Sequence, residues 1–199
     1  THRRRLPGHT VGFHSMSTGG RHSCGVSTGG AGYCWGRDDD GQSSVPSGVT
    51  WAAISAGSLH SCGVSTGGAG YCWGSDSYGQ SSVPSGVTWA AISAGGYHSC
   101  GVSTGGAGYC WGRDSDGQSS VPSGVTWAAI SAGSYHSCGV NTGGVGYCWG
   151  YDSHGQTSVP SGVTSWAAIS AGYYHSCGVS TGGAGYCWGA DSYSQTSVP

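Results

Sequence analysis

The sequence predicts an all-β protein made of tandem repeats, and three observations carry that prediction. His-Ser-Cys begins at His22, His60, His98, His136 and His175, so the period is 38, 38, 38 and 39 residues, the last step lengthened by Ser165. A fixed period in this range is the signature of a repeat architecture. Within each unit, short runs of β-branched and aromatic residues are cut by Gly-rich turns, a pattern that favours strands and opposes helix. The 10 cysteines fall into one pair per unit at a constant spacing.

The second unit serves as the template. Residues 51–56, Trp-Ala-Ala-Ile-Ser-Ala, read as a first strand, and Gly57-Ser58-Leu59 as a turn. His60 to Ser65 form a second strand, and Thr66-Gly67-Gly68 a tight hairpin turn. Gly70 to Trp73 form a third strand, followed by a polar loop from Gly74 to Gly79. Gln80-Ser81-Ser82-Val83 is expected as a weak fourth strand, and Pro84-Ser85-Gly86 as the connector. Five units of about four short strands follow, at about 13–50, 51–88, 89–126, 127–165 and 166–199. Phe13 and Met16 replace the usual Trp and Ile of the first strand. Residues 1–12 are atypical and are expected to form an N-terminal arm or connector. The start at Thr1, with no signal-peptide apolar run, suggests a processed or truncated piece.

A hairpin centred on Gly67 sets Cys62 opposite Cys72, and opposed residues share a face. Five disulfides are therefore expected: Cys24–Cys34, Cys62–Cys72, Cys100–Cys110, Cys138–Cys148 and Cys177–Cys187. The alternative is reduced cysteine acting as a small buried hydrophobe. The same register sets Tyr71 and Trp73 over Ser61 and Gly63, where an aromatic ring would cover the strand glycine. The histidine is expected to bond a neighbouring backbone group, and the loop Asp (Asp76 and its equivalents) to close its turn.

Composition narrows the function classes. The chain has 199 residues, 42 of them Gly, with 9 Trp, 12 Tyr and only 7% charged residues. That aromatic content with so little charge argues for order. The net charge is −2, and no basic stripe exists to hold nucleic acid. No apolar run is long enough for a membrane span. Regular paired cysteines point to an oxidising, extracellular or secreted setting.

The motif Trp-x-x-Ile-x-x-Gly-x-x-His-x-Cys, followed by Gly-x-Tyr-Cys-Trp-Gly-x-Asp-x-x-Gly-Gln, resembles the regulator of chromosome condensation repeat. The likeness runs from Phe13 almost to the end of the chain. It implies β-propeller blades, one per repeat, and the two-cysteine form is that of secreted relatives. This chain departs by having Asp at Asp38, Asp76, Asp114, Asp152 and Asp191 where the family has Asn. It also has Ser-Ser or Thr-Ser after the Gln instead of Leu-Gly. Family propellers commonly have more blades than the five counted here. A closed five-bladed ring, a segment of a longer array and an open stack all remain. The founding member's nucleotide exchange and chromatin binding do not carry over, because they belong to surface residues outside the repeat motif.

Most positions repeat without change, and two stretches vary. One precedes the His and includes Arg21, Leu59, Tyr97, Tyr135, Tyr173 and Tyr174. The other surrounds the loop Asp and includes Arg37, Asp39, Asp40, Tyr78, Arg113, Asp116, Tyr151, His154 and Tyr193. In an up-down meander both stretches lie at the same end of the sheet, so the variable residues form one candidate binding rim. Rims on a rigid scaffold are where binding residues gather, although relaxed drift at exposed sites gives the same pattern.

Neither a metal nor a cofactor is expected. A His-Cys-Cys zinc site lacks the usual Cys spacing and a fourth ligand, and one carboxylate per loop is thin for calcium. Catalysis has little support: there is no Lys or Glu, and no Gly-x-Ser-x-Gly elbow. The expected function is a non-catalytic extracellular scaffold that binds a glycan or a protein through the rim. The alternative is a structural fibre or matrix protein assembling from its own copies.

Overall fold

A computed structural model describes residues 11–199; the basic run Arg3-Arg4-Arg5 and most of the expected N-terminal arm lie outside the described residues. Fifteen strands appear in chain order. The first unit holds β1 (Phe13–Thr18), β2 (His22–Ser27) and β3 (Gly32–Gly36), and the second β4 (Trp51–Ala56), β5 (His60–Ser65) and β6 (Gly70–Gly74). The third holds β7 (Trp89–Ala94), β8 (His98–Ser103) and β9 (Gly108–Gly112). The fourth holds β10 (Trp127–Ala132), β11 (His136–Asn141) and β12 (Gly146–Gly150), and the fifth β13 (Trp166–Ala171), β14 (His175–Ser180) and β15 (Gly185–Gly189). Each unit is one three-stranded antiparallel meander.

The expected fourth strand does not form. Residues 80–83 and their equivalents are turn and irregular backbone. Side chains take over the groups a sheet would use. Asp76 Oδ1 accepts the Ser81 N–H at 2.7 Å, Asp76 Oδ2 accepts the Ser82 hydroxyl at 2.8 Å, and the Ser81 hydroxyl donates to the Ser75 carbonyl at 2.8 Å. Local side-chain bonds of this kind compete with a β-ladder.

The hairpin register pairs Ser61 with Trp73, Cys62 with Cys72 and Gly63 with Tyr71. All five cysteine pairs are disulfides, with Cα–Cα distances of 4.0–4.1 Å. Closing a loop this short contributes roughly 2–3 kcal/mol in the chain-entropy account. Gly63 is covered differently from the sequence expectation. A Cβ there would meet Trp51 Cζ3 at 2.6 Å, so the first-strand Trp of the same sheet fills that seat, with Tyr71 edge-on behind it at 5.3 Å.

A β-bulge explains the Trp-x-x-Ile spacing. The β4–β5 register shifts between Trp51 and Ala53. The extra residue moves Trp51, Ile54 and Ala56 onto one face, and all three are buried. That face points at the preceding unit, where it packs on Cys24 and Val26. The same packing recurs at the next three junctions. The hydrophobic core therefore lies between sheets rather than within one. Each sheet has a leading face (first-strand Trp and Ile, third-strand Trp) and a trailing face (disulfide, second-strand Val, third-strand Gly). Backbone bonds tie neighbours as well: Trp51 N–H donates to the Gly30 carbonyl at 2.8 Å, and Ser58 N–H to Gly95 at 3.1 Å. The five sheets are separate and are not closed into a ring.

Candidate functional site: an aromatic rim over a buried polar ladder

A polar ladder holds the sheets in register beneath the rim. His60 Nε2 lies 2.8 Å from Ser99 Oγ in the following unit. The Ser99 hydroxyl donates its single proton to the Gln80 carbonyl at 2.9 Å. His60 Nε2 must then be the donor, which fixes the neutral imidazole with its proton on Nε2. The Gln80 carbonyl also accepts Trp111 Nε1–H at 3.0 Å, and Gln80 Oε1 accepts the Tyr78 N–H at 2.9 Å. His22, His98 and His136 repeat the arrangement on Ser61, Ser137 and Ser176. The histidine partner is thus a serine of the next repeat, not a backbone group. Nδ1 of all four histidines is buried without a partner. Burial, first of all, drives His60 down to about 4, His98 to about 3 and His136 to about 4, with neighbouring histidines adding to the effect.

The disulfides occupy all ten Cys sulfurs, and Nε2 of His22, His60, His98 and His136 is bonded to serine. Among the described residues no three His, Cys, Asp or Glu side chains converge as metal ligands. No helix there is long and apolar enough to cross a membrane.

Above the ladder, the two variable stretches meet. Tyr78 packs edge-on against Tyr97 at 5.6 Å, and Tyr97 lies 6.3 Å from Tyr135. The Arg113 guanidinium sits 5.9, 5.8 and 5.8 Å from the rings of Tyr78, Tyr97 and Tyr135. An arginine over aromatic faces is a cation–π arrangement. Tyr135 also stacks on Tyr174 at 5.5 Å and meets Tyr151 at 6.1 Å and Tyr173 at 5.3 Å. His154 joins the cluster through Tyr174 at 5.1 Å. The Tyr135 and Tyr173 hydroxyls are 3.3 Å apart, and this bond, then burial, raises the Tyr135 phenol above its ordinary value.

Of the other rim candidates, Arg21, Arg37, Asp39, Asp40 and Leu59 stand apart, whereas Asp116 and Tyr193 adjoin the cluster. Arg37 pairs with Asp39 at 2.8 Å at the first unit's end of the arc, and Asp40 offers its N–H to Gln42 Oε1 at 2.9 Å. Arg21 is exposed and Leu59 half-buried, and each accepts a loop N–H through its carbonyl, from Arg37 and Ser75 respectively. Asp116 lies 3.7 Å from Arg113. Tyr193 is 91% exposed beside Tyr173 and Tyr174. The rim is therefore polarised: charged in the first unit, aromatic from the second to the fifth.

One feature had little signal in the sequence. The turns between first and second strands of all five units converge on a shallow axial depression of about 270 Å³, reached by Gly19, Gly57, Gly95, Gly133 and Gly172. Small residues line most of it, and only Tyr173 brings in a large side chain from the variable stretch.

The fold and repeat chemistry agree with comparison to known proteins. The regulator of chromosome condensation (RCC1) repeat matches residues 51–80, 89–118, 127–156 and 166–195. The chain belongs to the RCC1 repeat family. No curated protein matches it. Among solved structures, it is similar to the entire ectodomain of the Physcomitrella patens receptor kinase CR4, with 31% identity, a TM-score of 0.75, and coverage of 89% of this chain and 50% of that one. It is also similar to the CRINKLY WD40 ectodomain of the Arabidopsis thaliana receptor kinase ACR4, with 28% identity, a TM-score of 0.72, and coverage of 90% and 64%. Prp20p from Saccharomyces cerevisiae shares the fold at 18% identity, a TM-score of 0.76, and coverage of 89% and 58%. The chain thus spans between half and two thirds of the length of these proteins.

Proposed function

We propose that this chain is a non-catalytic, extracellular RCC1-type scaffold that binds a protein or glycan partner through its aromatic rim. The observation that carries this reading is the Tyr78–Tyr97–Arg113–Tyr135–Tyr174 cluster. Residues that differ from repeat to repeat meet across four units, on a backbone that hardly varies. Tyrosine and arginine are the residues that dominate contact surfaces. The two receptor-kinase ectodomains support an extracellular setting and a recognition role, and the five disulfides suit the same compartment. The likeness to the two receptor-kinase ectodomains lends no support to the competing reading, a fibre or matrix protein.

The test is a screen of the oxidised chain against a glycan array and, separately, a panel of extracellular proteins. A partner found there should lose affinity on the order of tenfold or more with Arg113→Ala combined with Tyr173→Ala. Melting temperature should stay unchanged. Binding that survives this change, and is instead lost on altering the opposite turns at Thr66 or Thr104, would place the site elsewhere.

A further inference from the structure

Arg113 stands among the tyrosines of the rim with one edge of its guanidinium unused. Its Nε donates to Ser115 Oγ at 2.7 Å, and Nη2 lies 3.7 Å from Asp116 Oδ2, beyond hydrogen-bond length. Asp116 Oδ2 instead accepts the Ser115 hydroxyl at 3.1 Å. Nε and Nη2 form one edge of the planar group, so Ser115 and Asp116 face that edge. The outer edge, Nη1 with Nη2, meets no hydrogen-bond acceptor among the described residues. The side chain is 30% exposed, and a long charged side chain keeps its head in water while its stem is covered.

The surroundings of this edge limit what it can hold. The rings of Tyr78, Tyr97 and Tyr135 already carry a guanidinium, so they do not form a cage for a second cation. A free guanidinium edge matches a carboxylate, which it holds by two parallel bonds. A densely charged polyanion fits poorly. Arg113 is the only Arg from the second unit to the fifth, the chain has no Lys, and Asp76, Asp114, Asp116, Asp152 and Asp191 lie in the same set of loops.

A peptide also finds few handles here. The N–H groups of Ser75, Arg113, Tyr151 and Ala190 bond the carbonyls of Leu59, Tyr97, Tyr135 and Tyr174. Those of Tyr78, Asp116, His154 and Tyr193 bond the Gln side chain two residues on. An extended peptide draws affinity from main-chain hydrogen bonds, and these groups are already engaged. What the rim presents is side chains, with Tyr78 52% and Tyr173 55% exposed. A ring with an apolar body and a polar tip suits a sugar, whose C–H face packs on the ring while its hydroxyls bond at the edge. Consecutive rings of Tyr78, Tyr97, Tyr135 and Tyr173 are 5.3–6.3 Å apart, a step of about one sugar residue.

We propose that the rim takes a largely neutral oligosaccharide carrying one uronate, whose carboxylate sits on the outer edge of Arg113 while neighbouring sugars pack on Tyr78 and Tyr173. The assignment rests on the rim reading and narrows it to one ligand class. Asp116, on the other edge, disfavours a second acidic sugar beside the first.

The test uses the oxidised chain and short oligosaccharides in matched forms: neutral, bearing one glucuronic or galacturonic acid, the same with that carboxyl reduced to the alcohol, and uronate or sulfate at every residue. Isothermal titration calorimetry should show tightest binding to a singly acidic form, and carboxyl reduction should weaken it on the order of tenfold or more. Arg113→Gln should weaken the acidic form equally and the reduced form not at all, with unchanged circular dichroism. Carboxyl reduction alters only the sugar, so that comparison holds whatever the stability of the variant. Equal affinity for acidic and reduced forms, preference for the polyanionic forms, or no sugar bound overturns the proposal. A protein or neutral glycan that binds through Arg113 and Tyr173 overturns it and keeps the rim reading. An acidic sugar bound without regard to either residue overturns both.

Discussion

His60 Nε2 donates to Ser99 Oγ at 2.8 Å across the junction between the second and third units, and both residues are completely buried. Ser99→Ala strips the His60 N–H of its acceptor and removes one of the two donors to the Gln80 carbonyl. Leaving a buried polar group unsatisfied costs roughly 1–3 kcal/mol. Thermal unfolding should show Ser99→Ala several degrees below the native chain. Ser23→Ala is the control: its position precedes every described histidine junction, so it should melt almost unchanged. Equal losses for the two would show that the ladder contributes little.

The same ladder sets the response to acid. His60, His98 and His136 titrate near 4, 3 and 4 in the folded chain, against an ordinary 6.5, chiefly because burial disfavours the charged ring. The unfolded chain therefore binds more protons at mildly acidic pH. The sign is fixed: stability is full above about 6.5, falls as pH drops below it, and levels off only once the folded-state values are passed. At the acid limit His60 and His136 each cost roughly 3 kcal/mol of stability, and His98 more. Melting temperatures at neutral pH and near pH 4.5 should differ strongly in the native chain. His60→Gln keeps a donor for Ser99 but carries no titrating ring, so it should flatten the profile by one histidine's share.

Much of this architecture is legible in the sequence, and the exceptions have physical reasons. The hairpin register follows from the turn at Thr66-Gly67-Gly68, and the pairing of Cys62 with Cys72 follows from the register. The fourth strand does not form although Gln80-Ser81-Ser82-Val83 has the local pattern of one, because its bonds go elsewhere. Gln80 is fully buried, with its carbonyl committed to Ser99 and Trp111 of the next unit. No local signal reveals a partner one repeat away. The His–Ser pairing was hidden for the same reason, since His60 and Ser99 are 39 residues apart. The contacts between Tyr78, Tyr97 and Arg113 depend on how consecutive units lean together, which a single unit's pattern does not state.

Gly70 and Gly185 occupy the same position in different units and should respond differently to one added methyl group. A Cβ on Gly70 would lie 2.6 Å from Trp89 Cδ1 and 2.8 Å from Ile92 Cδ1, both held in a packed junction. Relieving that overlap means moving two core side chains, and overpacking of this kind costs about 1–3 kcal/mol. Gly70→Ala should lower the denaturation midpoint accordingly. Gly185→Ala, with only Val198 at 3.4 Å, should be close to neutral. Comparable destabilisation at both sites would mean that strand propensity, rather than the inter-sheet fit, selects glycine there.

Ser194 breaks the repeat at a position where backbone conformation matters. Gly41, Gly79, Gly117 and Gly155 take φ of 79°, 79°, 78° and 73° in the loop after the third strand, and Ser194 takes 58° at the equivalent place. The left-handed region costs an ordinary L-residue about 1–2 kcal/mol, which glycine avoids. The loop is otherwise intact in the fifth unit: Asp191 Oδ1 still accepts the Thr196 N–H at 2.8 Å, and this bond, above all, lowers the Asp191 carboxyl below its ordinary value. The strain is therefore confined to one residue, and Ser194→Gly should relieve it without altering any partner. Differential scanning calorimetry should show a higher melting temperature for Ser194→Gly and a lower one for Gly79→Ser, which imposes the same conformation on a serine. A favourable hydrogen bond or cap from the serine hydroxyl would shift both melting temperatures the other way, so the gain with Ser194→Gly and the loss with Gly79→Ser point to the backbone.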